Sequence, residues 1–139
     1  MPVNSTMPVV ERKRQSKLRE RTLWTLQILA ALFFLAAGLS KLAGVPYNVM
    51  VFEKVGFGQW FRYFTGVLEI AGALMLLMPR RIAVGGAVLS VVMIGAVIAD
   101  RLALGGSGIP ALVCLAVVGS ITWFRRSTLL SSFQPASKP

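Results

Sequence analysis

The sequence predicts an all-α integral membrane protein: a four-transmembrane-helix bundle with a short interfacial segment between helices 1 and 2 and both termini cytoplasmic. Three observations carry that expectation. Of the 139 residues, 55% are hydrophobic and only 14% are charged, and the mean hydropathy is +0.70, more apolar side chain than a water-soluble domain of this length holds. The apolar residues fall into four runs near the length of a membrane-spanning helix. The charge is one-sided, with fifteen Lys and Arg against five Asp and Glu for a net +10. The chain divides into a basic N-terminal tail (1–21), a four-helix membrane domain (22–126) and a C-terminal tail (127–139).

Residues 1–21 hold Pro2, Pro8 and six bases, Arg12, Lys13, Arg14, Lys17, Arg19 and Arg21, against Glu11 and Glu20. Such a tail could meet nucleic acid, but positive charge directly before an apolar run fixes membrane orientation. No nucleic-acid partner is expected. The first span covers 22–44, and from Leu23 to Leu39 only Thr25 and Gln27 are polar. It is too long for a cleaved signal and is not closed by a small-residue cleavage site.

Residues 45–60 mix aromatic, aliphatic and charged side chains and are too short and interrupted to span. They are expected to lie at the interface, with one short helix from Asn48 to Val55 closed by Gly56. Tyr47, Phe57, Trp60, Phe61, Tyr63 and Phe64 would form an aromatic belt at that interface, and Trp24 and Trp123 one at the other. The second span covers 61–78 and stops at Pro79-Arg80-Arg81; the third covers 82–102 and the fourth 109–124, before Arg125-Arg126. With four spans, the two tails and the Arg80-Arg81 turn share one side and hold eleven bases, while Lys41, Lys54, Arg62 and Arg101 lie on or near the other. The positive-inside rule then places both termini in the cytoplasm.

The absences exclude chemistry. There is no His and one Cys, so the chain supplies no histidine axial ligand for haem, no histidine base, no disulfide and no cysteine cluster for iron and sulfur. No catalytic residue, metal site or covalently bound cofactor is expected. Neither phosphate-cradling glycine motif is present. Cys114 sits in an apolar run and reads as a packed thiol.

The informative residues are the charges inside or at the ends of the spans: Lys41, Arg62, Glu69, Asp100 and Arg101. A charge at a helix centre costs about 2.5 to 3.5 kcal/mol on insertion scales, so such groups face a partner or a wet cavity. At about 1.5 Å per residue, Lys41 lies roughly 5 Å below the outer end of helix 1 and Glu69 roughly 12 Å deep in helix 2. The other three sit within about a turn of outer helix ends, so all five fall in the outer half. Arg62, Thr65, Gly66, Glu69, Gly72 and Ala73 recur at helical spacing on one face. Gln27, Ala30, Ala31, Phe34, Ala37, Gly38 and Lys41 share a face of the first helix, and Gly86, Ser90, Met93, Ala96, Val97 and Asp100 share one of the third. Small residues on these faces let helices approach closely. The expected result is a bundle opening outward into a charged vestibule, with Lys41 paired to Glu69 and Asp100 to Arg62 or Arg101. Two readings stand: ion pairs that fix helix register alone, or a site for a polar head group on an apolar tail, such as a quinone or a lipid.

The stretch Ala37-Gly-Leu-Ser-Lys41-Leu-Ala-Gly, then Phe52 to Gly56, Arg62-Tyr-Phe-Thr-Gly66-Val-Leu-Glu69-Ile-Ala-Gly72 and Leu76-Leu-Met-Pro79 resembles the DoxX and DoxX-like membrane proteins. The shared pattern is a first-helix G-x-x-K, an F-x-x-x-G connection and a second-helix R-x-x-x-G-x-x-E, and the resemblance covers about residues 23–126. It implies a four-helix inner-membrane protein and a link to quinone-coupled redox chemistry, since the family is named for a small membrane subunit of a thiosulfate:quinone oxidoreductase. Lys41, Arg62 and Glu69 are its motif positions here; Asp100 stands where many members carry a His late in the third helix. The function expected is a non-catalytic accessory or anchor subunit of a quinone-linked redox system. The alternative is a membrane scaffold with purely structural ion pairs. A small multidrug exporter also uses four helices and an intramembrane Glu, but here the motif adds Lys and Arg, and the charge bias fixes one orientation. The expected partners are the lipid bilayer and a redox enzyme or a second copy of the chain.

Overall fold

The computed structural model describes residues 8–132, and side chains as far as Arg126. Six helical segments follow one another: α1 (Val9–Leu42), α2 (Pro46–Val55), α3 (Gln59–Leu77), α4 (Ile82–Ala99), the π-helical turn Asp100–Leu104, and α5 (Ile109–Ser132). No strand occurs among the described residues. Of the expected C-terminal tail 127–139, residues 127–132 instead continue α5, which runs to Ser132; 133–139 and residues 1–7 lie outside the described residues, so Pro2 and Lys138 are not placed.

Helix α1 differs from the expectation at its start. The basic stretch read as a tail is helical from Val9, making α1 34 residues long, roughly 51 Å at 1.5 Å per residue. Glu, Arg, Lys, Gln and Leu are good helix formers, and Glu11 sits in the first turn, where the helix dipole favours an acid. The interfacial helix begins two residues earlier than expected, because Pro46 is favourable at the first helical position. It closes at Gly56, whose φ of 83° is the left-handed conformation that favours glycine.

Helices α1, α3, α4 and α5, with the π turn continuing α4, are each long and apolar enough to cross a membrane. They pack in chain order, α1 on α3, α3 on α4 and α4 on α5, and the seam between α1 and α5 is the least extensive. The buried face of α1 is Gln27, Ala30, Ala31, Phe34 and Gly38; that of α3 is Arg62, Gly66, Glu69, Gly72, Ala73 and Leu76. These are the faces that helical spacing selects. On α4 the buried set is Ile82, Gly85, Gly86, Leu89 and Met93, so of the predicted face only Gly86 and Met93 are buried. Outward-facing Leu32, Phe33, Val67, Val91, Ile94 and Val113 are exposed, as expected where lipid replaces water.

Two glycines set how closely α1 and α3 approach. A Cβ on Gly38 would lie 2.7 Å from the Gly66 carbonyl oxygen and 2.7 Å from Ile70 Cγ1, and one on Gly66 would lie 3.1 Å from the Gly38 carbonyl oxygen. Any side chain at Gly38 would push the helices apart, and with them the charged groups just beyond. The core between the helices is Phe34, Leu76, Ile82, Leu89, Met93, Val118 and Ile121. Cys114 is half-buried and packs against that core.

Candidate functional site

A helix leaves its last four carbonyls without intrahelical donors, and inside a membrane no water meets them. Helices α1 and α3 each lend the other a side chain for this. The Arg62 guanidinium of α3 donates through Nη1 to the Lys41 carbonyl at the end of α1, and Gln27 of α1 donates through Nε2 to the Leu76 carbonyl at the end of α3. The reciprocity explains why two polar residues lie buried on otherwise small and apolar faces. Gln27 Oε1 has no partner among the described residues.

Lys41 and Glu69 meet between these caps. The Lys41 ammonium donates to both carboxylate oxygens, at 2.9 Å to Oε1 and 2.8 Å to Oε2. The Glu69 side chain is 2% exposed and the Lys41 side chain 17%. An ammonium has three N–H groups; two face Glu69, and no acceptor for the third is found among the described residues. Arg62, 4% exposed, donates through Nε to Gln59 Oε1 at 2.7 Å and lies over the Tyr63 ring at 4.3 Å. The cluster therefore holds two cations and one carboxylate, a net positive centre in an apolar bundle.

The surrounding polar groups tie this centre to α2. Gln59 Nε2 donates to the Val49 carbonyl at 3.2 Å, and Asn48 Nδ2 donates to Ser40 Oγ at 3.0 Å. Phe52, Phe57, Trp60, Phe61 and Phe64 form a chain of ring contacts on the same side. Gln59, Asn48 and Ser40 escaped the sequence reading. The signal for Gln59 was present, since it stands three residues before Arg62 on one helix.

Asp100 and Arg101 do not join the cluster. Asp100 was expected to pair with Arg62 or Arg101; instead its Oδ2 accepts from the Gly108 N–H at 2.6 Å, and its carbonyl accepts from Gly106 N–H at 2.9 Å. The reason is local. The chain loosens into a π turn at Asp100–Leu104, and Gly105 (φ 65°) and Gly108 (φ 67°) fold the loop back over the carboxylate. Asp100 thus staples the loop into α5. Arg101 is exposed and makes no ion pair among the described residues. No open vestibule surrounds the charges either, because Arg62 and Glu69 are packed shut.

The second ion pair among the described residues lies at the other end. Arg125 Nη1 of α5 donates to Glu20 Oε1 of α1 at 3.0 Å, Trp24 Nε1 donates to the same oxygen at 3.1 Å, and the Arg125 guanidinium lies 5.3 Å from the Trp24 ring centre. Arg126 stacks over Trp123 at 3.4 Å. The start of α1 and the end of α5 therefore share one end of the bundle. No group of three metal-ligating side chains occurs among the described residues.

Comparison with known proteins fits this arrangement. The DoxX-like family matches residues 25–125, a stretch that contains Lys41, Arg62 and Glu69 and runs from the first span to the end of the last. The chain belongs to the DoxX-like family. A relative in Bacillus subtilis (strain 168), "Uncharacterized protein YdgD", is 37% identical across 66% of this chain and 87% of its own length. No solved structure matches the chain. Family and spans together make it a DoxX-like membrane protein, and the motif's Lys, Arg and Glu are the residues that the fold gathers where the end of α1 packs on the first half of α3.

Proposed function

We propose that this DoxX-like protein is a non-catalytic accessory or anchor subunit of a quinone-linked redox system, with both termini in the cytoplasm and the Lys41, Arg62 and Glu69 cluster in the outer half of the membrane. One observation carries the reading. A net positive, hydrogen-bonding centre stands inside an apolar bundle, and Lys41 is its reachable member, 17% exposed with one N–H not used by Glu69. Intramembrane charge is costly and marks function. A quinone carbonyl accepts hydrogen bonds and its isoprenoid tail is apolar, so Lys41 is the residue that would hold the head group while the tail lies along the outer faces. The chain itself brings no histidine and a single thiol, so the electrons would pass through the partner enzyme. The orientation rests on the bases gathered where α1 begins and α5 ends.

The test is Lys41→Met and Glu69→Gln in the chain expressed with its partner. The expected outcome is lower quinone-dependent activity per amount of inserted protein, and quinone retained by the wild-type chain in mass spectra from nanodiscs. Wild-type activity in both variants overturns the assignment. A scaffold role is the second reading, favoured by the two hydrogen bonds that already satisfy Glu69; a partner co-purified without quinone or lipid supports it.

A further inference from the structure

The geometry points to a binding site for an anionic phospholipid at the opposite end of the bundle, in the seam between α1 and α5. Three observations converge there. A groove of about 290 Å³ lies between the two helices, lined by Leu23, Leu26, Ile121 and Phe124 with Arg19 and Ser120 at its polar places. Apolar walls under a basic rim suit an acyl chain below a charged head group. The second observation is the charge around it. Arg19 lies over the Phe124 ring at 5.2 Å, and Lys17, Arg21 and Arg126 belong to the same end of α1 and α5, where the acids are Glu11 and Glu20.

The third observation concerns Arg125, which joins the same two helices through Glu20 but is not one of the residues that line the groove. Its side chain is 8% exposed, and its one ionic partner is Glu20. Nε and Nη2 are buried with no acceptor among the described residues. Those two N–H groups form one edge of the guanidinium, the fork that takes two oxygens of a phosphate or carboxylate together. A buried charge with two open donors is costly unless something meets them. A phosphodiester offers two non-bridging oxygens to that open edge; Glu20 already balances the charge of Arg125, so the phosphate's own charge is met by the surrounding bases, Arg19 first. To reach that edge the side chains around it must part, and α1 against α5 is the seam where helices hold each other least.

The experiment uses the full chain in nanodiscs of equal phosphatidylglycerol and phosphatidylcholine, released into a mass spectrometer under native conditions. The readout is the ratio of phosphatidylglycerol to phosphatidylcholine adducts. Wild type is expected to favour phosphatidylglycerol, and Arg19→Gln and Arg125→Gln each to lower the ratio about fivefold, the equivalent of one basic contact near a membrane surface. Leu26→Trp, which fills the groove without changing charge, should reduce retention of both lipids. Arg80→Gln with Arg81→Gln removes the same kind of charge outside the groove and should leave the ratio within about twofold, since diffuse attraction fades over a Debye length. An equal fall in that control overturns the site, as does no preference in wild type. Displacement by inorganic phosphate, with Leu26→Trp silent, would make it a bare anion site and equally end the lipid assignment. If Arg125→Gln does not insert, Arg19→Gln and Leu26→Trp decide the matter.

Discussion

Lys41 and Glu69 are best probed as a pair. Glu69 is 2% exposed and accepts two hydrogen bonds, at 2.8 and 2.9 Å, from an ammonium that is 17% exposed. Removing one member leaves the other charged group facing an apolar interior, which costs about 3 to 5 kcal/mol for a buried pair. Replacing both with apolar residues of similar volume removes the orphan and is often neutral or stabilising. Lys41→Met and Glu69→Leu should therefore each destabilise the bundle strongly, and the double variant much less than their sum. The assay is unfolding in mixed micelles by titrated SDS, followed by far-ultraviolet circular dichroism, with all four chains of the cycle on one scale. The expected coupling is about 3 kcal/mol or more. Interhelical hydrogen bonds in a membrane average only about 0.6 kcal/mol, because the unfolded state also finds partners there. A coupling at or below that figure would show the pair to be an ordinary contact and refute the argument from buried charge.

Other outcomes follow from the same geometry. Gly38→Ala places a Cβ 2.7 Å from a backbone oxygen of α3, so it should cost about 1 to 3 kcal/mol in the same titration; an unchanged midpoint would contradict the tight crossing. Asp100→Ala should expose the amide of Gly108 to hydrogen exchange, with a loss of about 1.5 to 3 kcal/mol for the charged hydrogen bond, while the Gly106 amide keeps its backbone acceptor. A double-mutant cycle with Arg62→Gln should show no coupling, and coupling above about 0.5 kcal/mol would restore the pairing expected from sequence. For orientation, Cys114→Ser chains carrying Lys13→Cys or Lys54→Cys should react with an impermeant maleimide from opposite sides of sealed cells, Lys54→Cys from outside. Labelling of both from one side would remove the four-span topology.

Much of the bundle was legible from spacing. The faces Gln27 to Lys41 and Arg62 to Ala73 could be read as contact surfaces because a helix buries what recurs at three and four residues, and small residues on them announce close approach. On α4 the same method fails, since nearly every residue there is apolar and no polar contrast marks the inner side. Asp100 misled for a related reason: a charge near a span end pairs with whatever the chain brings, and its own loop is nearer than Arg62.

The amino-acid sequence by itself determined that there are four spans, where the bases gather, and that Lys41 and Glu69 are each too costly to leave unpaired in a membrane. Tertiary structure alone decided which groups answer which. It set Arg62 on the Lys41 carbonyl and Gln27 on the Leu76 carbonyl, because helix ends expose acceptors whose positions depend on how α1 crosses α3 at Gly38 and Gly66. It also brought Arg125 to Glu20, more than a hundred residues away in the chain. Periodicity is a property of one helix, whereas pairing depends on the distance between two, and only the packed bundle fixes that distance.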